Sequence, residues 1–299
     1  MSISKHSSII IDWGTSNFRA YRFDGDALID ERRRETGILK VAEGDFEGAL
    51  RAAIGDWMAP DVDMLFSGMI TSRNGWVETP YALTPAALAD LRGQVVERVL
   101  SDGARLHFLP GVAQQSPQPD VMRGEEIQAF GAIDDHDDAI VILPGTHSKW
   151  VTMEKGRIVG FHSAMTGEVF AVLKNHSILG RLIDAGQTEE RPNAFARGVK
   201  FALSDAPGGF LNHIFTARSG ALLGALTADE IPDYLSGVVI GHEVRAGLQA
   251  AARDRRVVLV GDYKLSDRYV RALAIAGVAA EKGDSRATIA GFRKLAALR

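Results

Sequence analysis

The chain has no cysteine among its 299 residues. That excludes disulfides, thiolate nucleophiles and cysteine-based zinc centres, and it fits a reducing compartment. No uncharged apolar stretch reaches the ~20 residues that a membrane-spanning helix needs. Residues 1–8 are polar and lack the apolar core of a secretory signal. Neither sign of charge dominates: the net charge is −4, which supplies no field to draw nucleic acid or an anionic membrane. None of the eight histidines has metal-ligand spacing. Heptads, low-complexity segments and short repeats are absent too. The expectation is a cytoplasmic protein whose partners include neither nucleic acid nor membrane; a homodimer is allowed.

What is present is an ordinary globular composition, 46% hydrophobic and 24% charged. The length suits two domains or one large one. Strand-like runs occupy 8–12, 18–23, 63–67, 139–143, 150–153, 158–162 and 257–260. Helical patterns occupy 45–58, 85–100, 125–133, 169–183, 210–226, 233–252, 266–279 and 285–298. In 85–100, Thr84 reads as the cap and Pro85 as the first helical residue. Hairpins alternating with long helices predict an α/β protein with mixed sheets.

Three turns carry the chemistry. Ile9-Ile10-Ile11-Asp12-Trp13-Gly14-Thr15-Ser16-Asn17 is an apolar strand running into an acid and a tight polar turn. Gly14 lets backbone approach a ligand. Backbone N–H groups and the side chains of Thr15, Ser16 and Asn17 can donate to phosphate oxygens, and Asp12 suits Mg²⁺ held through water. No Gly-Lys-Ser/Thr follows, so this is not a Walker A loop. The theme returns at Ile142-Leu143-Pro144-Gly145-Thr146-His147-Ser148-Lys149, where Lys149 adds a cation and His147 lies in the turn. The third is Val257-Val258-Leu259-Val260-Gly261 before a helix, a frequent nucleotide site. Each also has a plain reading: a common Asp-x-Gly-Thr turn, a solvated lysine, and ordinary strand-to-helix punctuation. The repeated hairpin suggests two similarly built domains, with the Gln-, Pro- and Ser-rich segment 111–120 as the boundary.

The order of the three turns resembles the ATPase superfamily of sugar kinases, actin and the heat-shock chaperone ATPase domain. Five stretches narrow the resemblance to the 2-dehydro-3-deoxygalactonokinase family over essentially the whole chain. They are Asp12-Trp13-Gly14-Thr15-Ser16-Asn17, Ser67-Gly68-Met69-Ile70-Thr71-Ser72-Arg73-Asn74-Gly75-Trp76, Pro119-Asp120-Val121-Met122-Arg123-Gly124-Glu125-Glu126-Ile127-Gln128, Leu143-Pro144-Gly145-Thr146-His147-Ser148-Lys149-Trp150, and Met165-Thr166-Gly167-Glu168. The resemblance implies transfer of the ATP γ-phosphoryl group to the 6-hydroxyl of 2-dehydro-3-deoxy-D-galactonate, with Mg²⁺. It also implies two ribonuclease-H-like, actin-like domains flanking a cleft. The first would hold residues 1–118 with the terminal helix 285–299, and the second 119–284.

That chemistry assigns candidates. ATP would be held by Gly14, Thr15, Ser16, Asn17, Gly145, Thr146, His147, Ser148, Lys149 and Gly261. Arg73, with Ser72 beside it, and Arg123 are the candidates for the substrate carboxylate, because guanidinium offers two-pronged recognition. Arg123 also reads as pairing with a neighbouring acid. Phosphoryl transfer needs a carboxylate to orient the nucleophile. The candidates are Asp120, Glu125, Glu126 and Glu168. In the related hexokinases the acid lies shortly before the second phosphate turn, which points to Asp120 to Glu126, Glu125 and Asp120 first, with Asp12 as a further acid. Glu125 and Glu126 equally read as first-turn helix acids. Glu168 looks like a sugar-hydroxyl ligand. Trp13, Trp76 and Trp150 default to core packing. The rival readings are a kinase for 2-keto-3-deoxygluconate or a hexose, and a non-kinase actin-like ATPase. A neutral hexose would not need the arginines.

Overall fold

The computed structural model describes residues 7–60, 62–183, 189–250, 255–284 and 286–298. They fall into two compact units, one within 1–137, 153–161 and 286–299, the other within 138–152 and 162–285. Residues 1–6, 251–252 and 285, which belong to expected segments, lie outside the described residues.

The first unit is built on a sheet of β1 (Ser7–Trp13), β2 (Phe18–Asp24), β3 (Ala27–Arg34), β4 (Asp63–Ser67), β7 (Val96–Val99) and β8 (Arg105–Phe108). Its order is β3-β2-β1-β4-β8-β7. β1 pairs antiparallel with β2 and parallel with β4. Alternation along β1 sends Ile9, Ile11 and Trp13 to one face, where they join Phe18, Leu50, Ile54, Phe66 and Phe108 in the core. Helix α1 (Phe46–Ile54) contributes Leu50 and Ile54, and is capped by the Asp45 side chain accepting the Gly48 N–H at 2.8 Å. A small sheet, β10-β9-β5, is made of β5 (Tyr81–Leu83), β9 (Gly111–Gln114) and β10 (Asp120–Met122). Helix α3 (Glu125–Ala132) packs on the terminal helix α9 (Ala287–Ala297).

The second unit holds β11 (Ala139–Leu143), β12 (Ser148–Glu154), β13 (Arg157–Ala164), β14 (Arg256–Leu259) and β15 (Glu281–Lys282), in the order β15-β14-β11-β12-β13. The turn between β12 and β13 belongs to the first unit. β11 pairs parallel with β14. It is buried along its whole length, which is why it reads as an unbroken apolar run. Around it lie α4 (Thr166–His176), α5 (Pro192–Leu203), α6 (Gly209–Leu222), α7 (Ile231–Ala250) and α8 (Tyr263–Ile275). Among the described residues no helix is long and apolar enough to cross a membrane.

Two expectations need correction, and one helix was missed. The helix expected over 85–100 is only α2 (Leu88–Arg92). β6 (Ala86–Ala87) precedes it, pairing with residues 157–158, and β7 follows it along the sheet edge. The apolar residues there fit both periods, and Gly93 stops the helix after its first turns. The segment 111–120 is not a domain linker, because β9 and β10 pair across it, and the first unit runs on to residue 137. Helix α5 was not anticipated. Its signals are Pro192 in the first turn and buried Ala194, Phe195, Val199 and Ala202 at helical spacing.

Candidate active site

In the first unit, the β1–β2 turn is closed by the Gly14 N–H donating to Asn17 O at 2.9 Å. The carbonyls of Gly14, Thr15 and Ser16 accept the N–H groups of Ile38, Leu39 and Gly37. The acceptors of the turn are thus tied down, while the side chains of Thr15, Ser16 and Asn17 are exposed as donors. Trp13 points into the core, 1% exposed, so alternation puts Asp12 on the opposite face.

Asp12 faces Arg19 across the hairpin, with 3.8 Å between Oδ2 and Nη1. Burial pushes its carboxyl up to about 6; Arg19 pulls it down and the charge of Glu125 raises it further. Two glycines bring Glu125 within range. Gly68 (φ 92°) follows β4, and a Cβ there would stand 2.9 Å from Trp13 O and 3.2 Å from Asp12 Oδ1. Gly124 (φ 111°) precedes α3, and a Cβ there would stand 3.2 Å from the Gly68 Cα. Both conformations favour glycine. Beside Gly124 the Ser67 hydroxyl is buried without a hydrogen-bond partner among the described residues.

Glu125 opens α3, and its Oε2 accepts the Arg123 N–H at 3.0 Å. Glu126 is buried, with both carboxylate oxygens on the Gly124 N–H at 2.8 and 2.7 Å. Burial, and then the charge of Glu125, push it up to about 8. Asp120 lies on β10, where its Oδ1 accepts the Val121 N–H at 2.7 Å.

The two arginines differ sharply. Arg123 is buried, and its Nη1 donates to Thr71 O, Thr71 Oγ1 and Thr79 Oγ1 at 2.7, 2.8 and 2.5 Å. Its Nη2 donates to Thr79 O, and the guanidinium lies 4.2 Å from the Tyr81 ring centre. Both terminal nitrogens are engaged with protein groups, while Nε is buried without a hydrogen-bond partner among the described residues. The fork's hydrogen-bond acceptors are neutral, while the charge of Arg123 holds down the carboxyl of neighbouring Glu126. Arg73 is exposed and makes no hydrogen bond or ion pair among the described residues. Ser72 is buried and donates from Oγ to Met69 O at 2.7 Å.

In the second unit, β11 leads through Pro144 into the turn Gly145-Thr146-His147. Strand alternation then splits the next three residues. Ser148 and Trp150 point toward α7 and α8, where Ser148 Oγ lies 2.8 Å from Tyr269 OH and Trp150 Nε1 donates to Glu243 at 2.8 Å. Ser148, expected as a phosphate ligand, is fully buried in that layer with its hydroxyl on Tyr269. Lys149 points the other way. It is 6% exposed, and its Nζ donates to Ser163 Oγ at 2.7 Å. No carboxylate pairs with it among the described residues.

The start of α4 abuts this turn. The Glu168 N–H donates to Thr146 O at 3.0 Å, and a Cβ on Gly167 would stand 2.5 Å from Gly145 O. The positive end of a helix is therefore set beside the turn. His147 Nε2 lies 2.5 Å from Glu168 Oε2, both half-exposed. A pocket of about 250 Å³ opens here, lined by Gly145, Thr166, Phe170, Ile240, Arg268 and Tyr269 among others. At the third turn, Gly261 is exposed. The Asp262 carboxylate caps α8, accepting the N–H groups of Lys264 and Leu265, so an acid already occupies the anion position at that helix start.

Sequence reasoning missed Arg19, Ser67, Glu243 and Tyr269. Only Ser67 lay in a quoted motif as more than a neighbour; Glu243 and Tyr269 sit in helices whose pattern reads as plain packing. Among the described residues no group of three or more side chains forms a ready metal cluster.

The family profile described as 2-keto-3-deoxy-galactonokinase matches residues 12–295. The 2-dehydro-3-deoxygalactonokinase of Escherichia coli (strain K12) is 32% identical over 291 residues, covering 96% of this chain and 97% of that protein. A Rhizobium meliloti (strain 1021) protein described as a probable 2-dehydro-3-deoxygalactonokinase, DgoK1, is 36% identical over 275 residues, covering 90% and 89%. A crystal structure described as that of a "putative 2-dehydro-3-deoxygalactonokinase protein" from Sinorhizobium meliloti superposes with a TM-score of 0.85 at 34% identity, covering 97% of this chain and 98% of that one. The fold alone extends to component A of the Acidaminococcus fermentans (R)-2-hydroxyglutaryl-CoA dehydratase, with a TM-score of 0.51 at 13% identity. The architecture is that of actin-like ATPases and sugar kinases, and the chain belongs to the 2-keto-3-deoxy-galactonokinase family.

Proposed function

We propose that the protein transfers the γ-phosphoryl group of ATP to the 6-hydroxyl of 2-dehydro-3-deoxy-D-galactonate, in the cytoplasm. The observation that carries the reading is Lys149, a buried ammonium whose partner among the described residues is a single hydroxyl. A buried cation without a counter-ion is costly, and an ATP phosphate supplies the missing charge. The turn Gly145-Thr146-His147 and the start of α4 favour the same anion.

In the first unit, Arg73, unpaired among the described residues, is the cation for the substrate carboxylate, and Glu125 is the carboxylate that orients the attacking hydroxyl. Mg²⁺ fits beside Asp12 through water, because two mutually repelling carboxylates and an orphaned buried hydroxyl, Ser67 Oγ, surround that position. When bound, the ion neutralises charge developing on the phosphate oxygens.

The test is a coupled ADP-release assay across 2-keto-3-deoxy sugar acids, including the gluconate-derived epimer, and neutral hexoses. Fastest turnover is expected with 2-dehydro-3-deoxy-D-galactonate. A hexose phosphorylated faster than every keto acid overturns the reading.

A further inference from the structure

Glu243 is a carboxylate on α7 with 6% exposure, outside the candidate site as read from sequence. A carboxylate this deep is retained only with its lone pairs filled. Oε1 accepts Trp150 Nε1–H at 2.8 Å. Oε2 accepts Tyr269 O–H at 2.5 Å and the Thr166 hydroxyl. Tyr269 has one proton, so when it donates to Glu243 the hydroxyl of Ser148, 2.8 Å away, donates to Tyr269. Burial pushes the Glu243 carboxyl up, and the hydroxyl and indole donors pull it back.

The donors come from three separate segments. Ser148 and Trp150 begin β12, on either side of Lys149. Thr166 begins α4, whose next residues touch Gly145 and Thr146. Tyr269 is on α8, and with Thr166 it lines the pocket beside Gly145. One turn along α7 from Glu243, Gly247 lies against the Trp150 indole; a Cβ there would stand 2.6 Å from the ring. Trp150 is therefore held from two directions, by a carboxylate on its N–H and by backbone on its ring. Glu243 bonds to both the strand after the turn and the helix start beside it, and Tyr269, its own donor, bridges the same two segments through Ser148 and Thr166.

We infer that Glu243 is a positioning residue, which sets the Gly145–Lys149 turn and the start of α4 in the geometry that grips the ATP phosphates. This rests on the reading of that turn as the phosphate site. Glu243 touches no substrate in this account; it acts through Tyr269, Thr166 and Trp150. Its amide isostere keeps the volume but brings two N–H donors, so Thr166 or Tyr269 must turn its own proton away.

The experiment compares wild type with Glu243→Gln, Tyr269→Phe, Thr166→Val, the Glu243→Gln/Tyr269→Phe double variant and Lys149→Met. It measures ADP binding by calorimetry and KM for ATP and for the sugar acid. Glu243→Gln should weaken ADP binding and raise KM for ATP about tenfold, the scale of sub-ångström misplacement in a phosphate site. KM for the sugar acid should stay within about twofold, and the double variant should be no worse than Glu243→Gln alone. Equal rises in both KM values, no change, or full additivity would overturn the inference. If Glu243→Gln does not fold, Tyr269→Phe and Thr166→Val carry the same ATP-selective expectation, and its absence in both is equally fatal. Lys149→Met separates the two levels. If it leaves ADP and ATP binding unchanged, the phosphate reading of the turn fails; if it weakens them while the three network variants do not, only the role of Glu243 fails.

Discussion

Asp12 and Arg19 stand opposite each other across the first hairpin, 3.8 Å apart, yet the Asp12 carboxyl is pushed up to about 6. Burial outweighs the guanidinium, and Glu125 adds to the rise. If ionised Asp12 is needed for turnover, kcat/KM should fall as pH drops through about 6. Arg19 lowers that value, so Arg19→Met should move the acid limb to higher pH, by about half a unit to one unit for a partly exposed pair. A pH profile of both proteins checks this; a limb that stays put would detach it from Asp12.

The same carboxyl makes a stability prediction of opposite flavour. In the folded chain it keeps its proton up to about 6, against 3.8 for an ordinary aspartate. Its contribution to stability is therefore complete below pH ~4 and is lost as pH rises through about 6. Asp12→Asn has no charge to lose. It should be more stable than wild type at pH 7 by up to about 3 kcal/mol, equally stable near pH 4, and inactive. Thermal melts at both pH values test this. Glu126→Gln should show the same sign over a higher window, gaining on wild type between about pH 5 and 8.

Much of this was legible in the chain. The β1 and β11 strands announce themselves as apolar runs ending in small-residue turns, and the five motifs fall at turns and helix starts within the two units. What was hidden is side-chain direction. Ser148 and Lys149 are neighbours in a phosphate-type motif, and only the pleat of β12 sends one inward and the other to Ser163. Arg123 looks like a ligand in sequence because Thr71 and Thr79, which occupy its fork, lie more than forty residues away. Helix 85–100 failed because Val96 and Val99 suit a strand edge as well as a helix face.

Gly167 packs so closely on the second turn that no side chain fits. A methyl there would sit 2.5 Å from Gly145 O and 2.9 Å from the Thr146 Cα, both backbone atoms that cannot swing away. Gly167→Ala should push the start of α4 off the turn. The expected result is a rise in KM for ATP of about 10- to 100-fold, with a stability loss of about 1–3 kcal/mol from overpacking. KM for the sugar acid should hold. Steady-state kinetics and a melt of the variant decide it; unaltered ATP kinetics would mean that the turn does not grip nucleotide.

The two arginines of the first unit give the sharpest separation. Arg73 is exposed and unpaired among the described residues, so removing it leaves no buried group unsatisfied. Arg73→Met should leave the melting temperature within a degree or two, as surface changes do. It should also raise KM for the sugar acid by about 10- to 100-fold, the worth of a charge-assisted hydrogen bond. Arg123 is the reverse. Its four hydrogen bonds hold Thr71 and Thr79, and its ring contact holds Tyr81. Arg123→Met would strand buried carbonyl and hydroxyl groups, and should destabilise the protein by about 2–4 kcal/mol. Its effect on KM should follow from loop disorder, falling on Arg73 and Glu125 together. Melts and sugar-acid kinetics on both variants test the division. If Arg73→Met leaves KM for the keto acid near wild type while stable Arg123→Met raises it, the carboxylate is read by Arg123 after all.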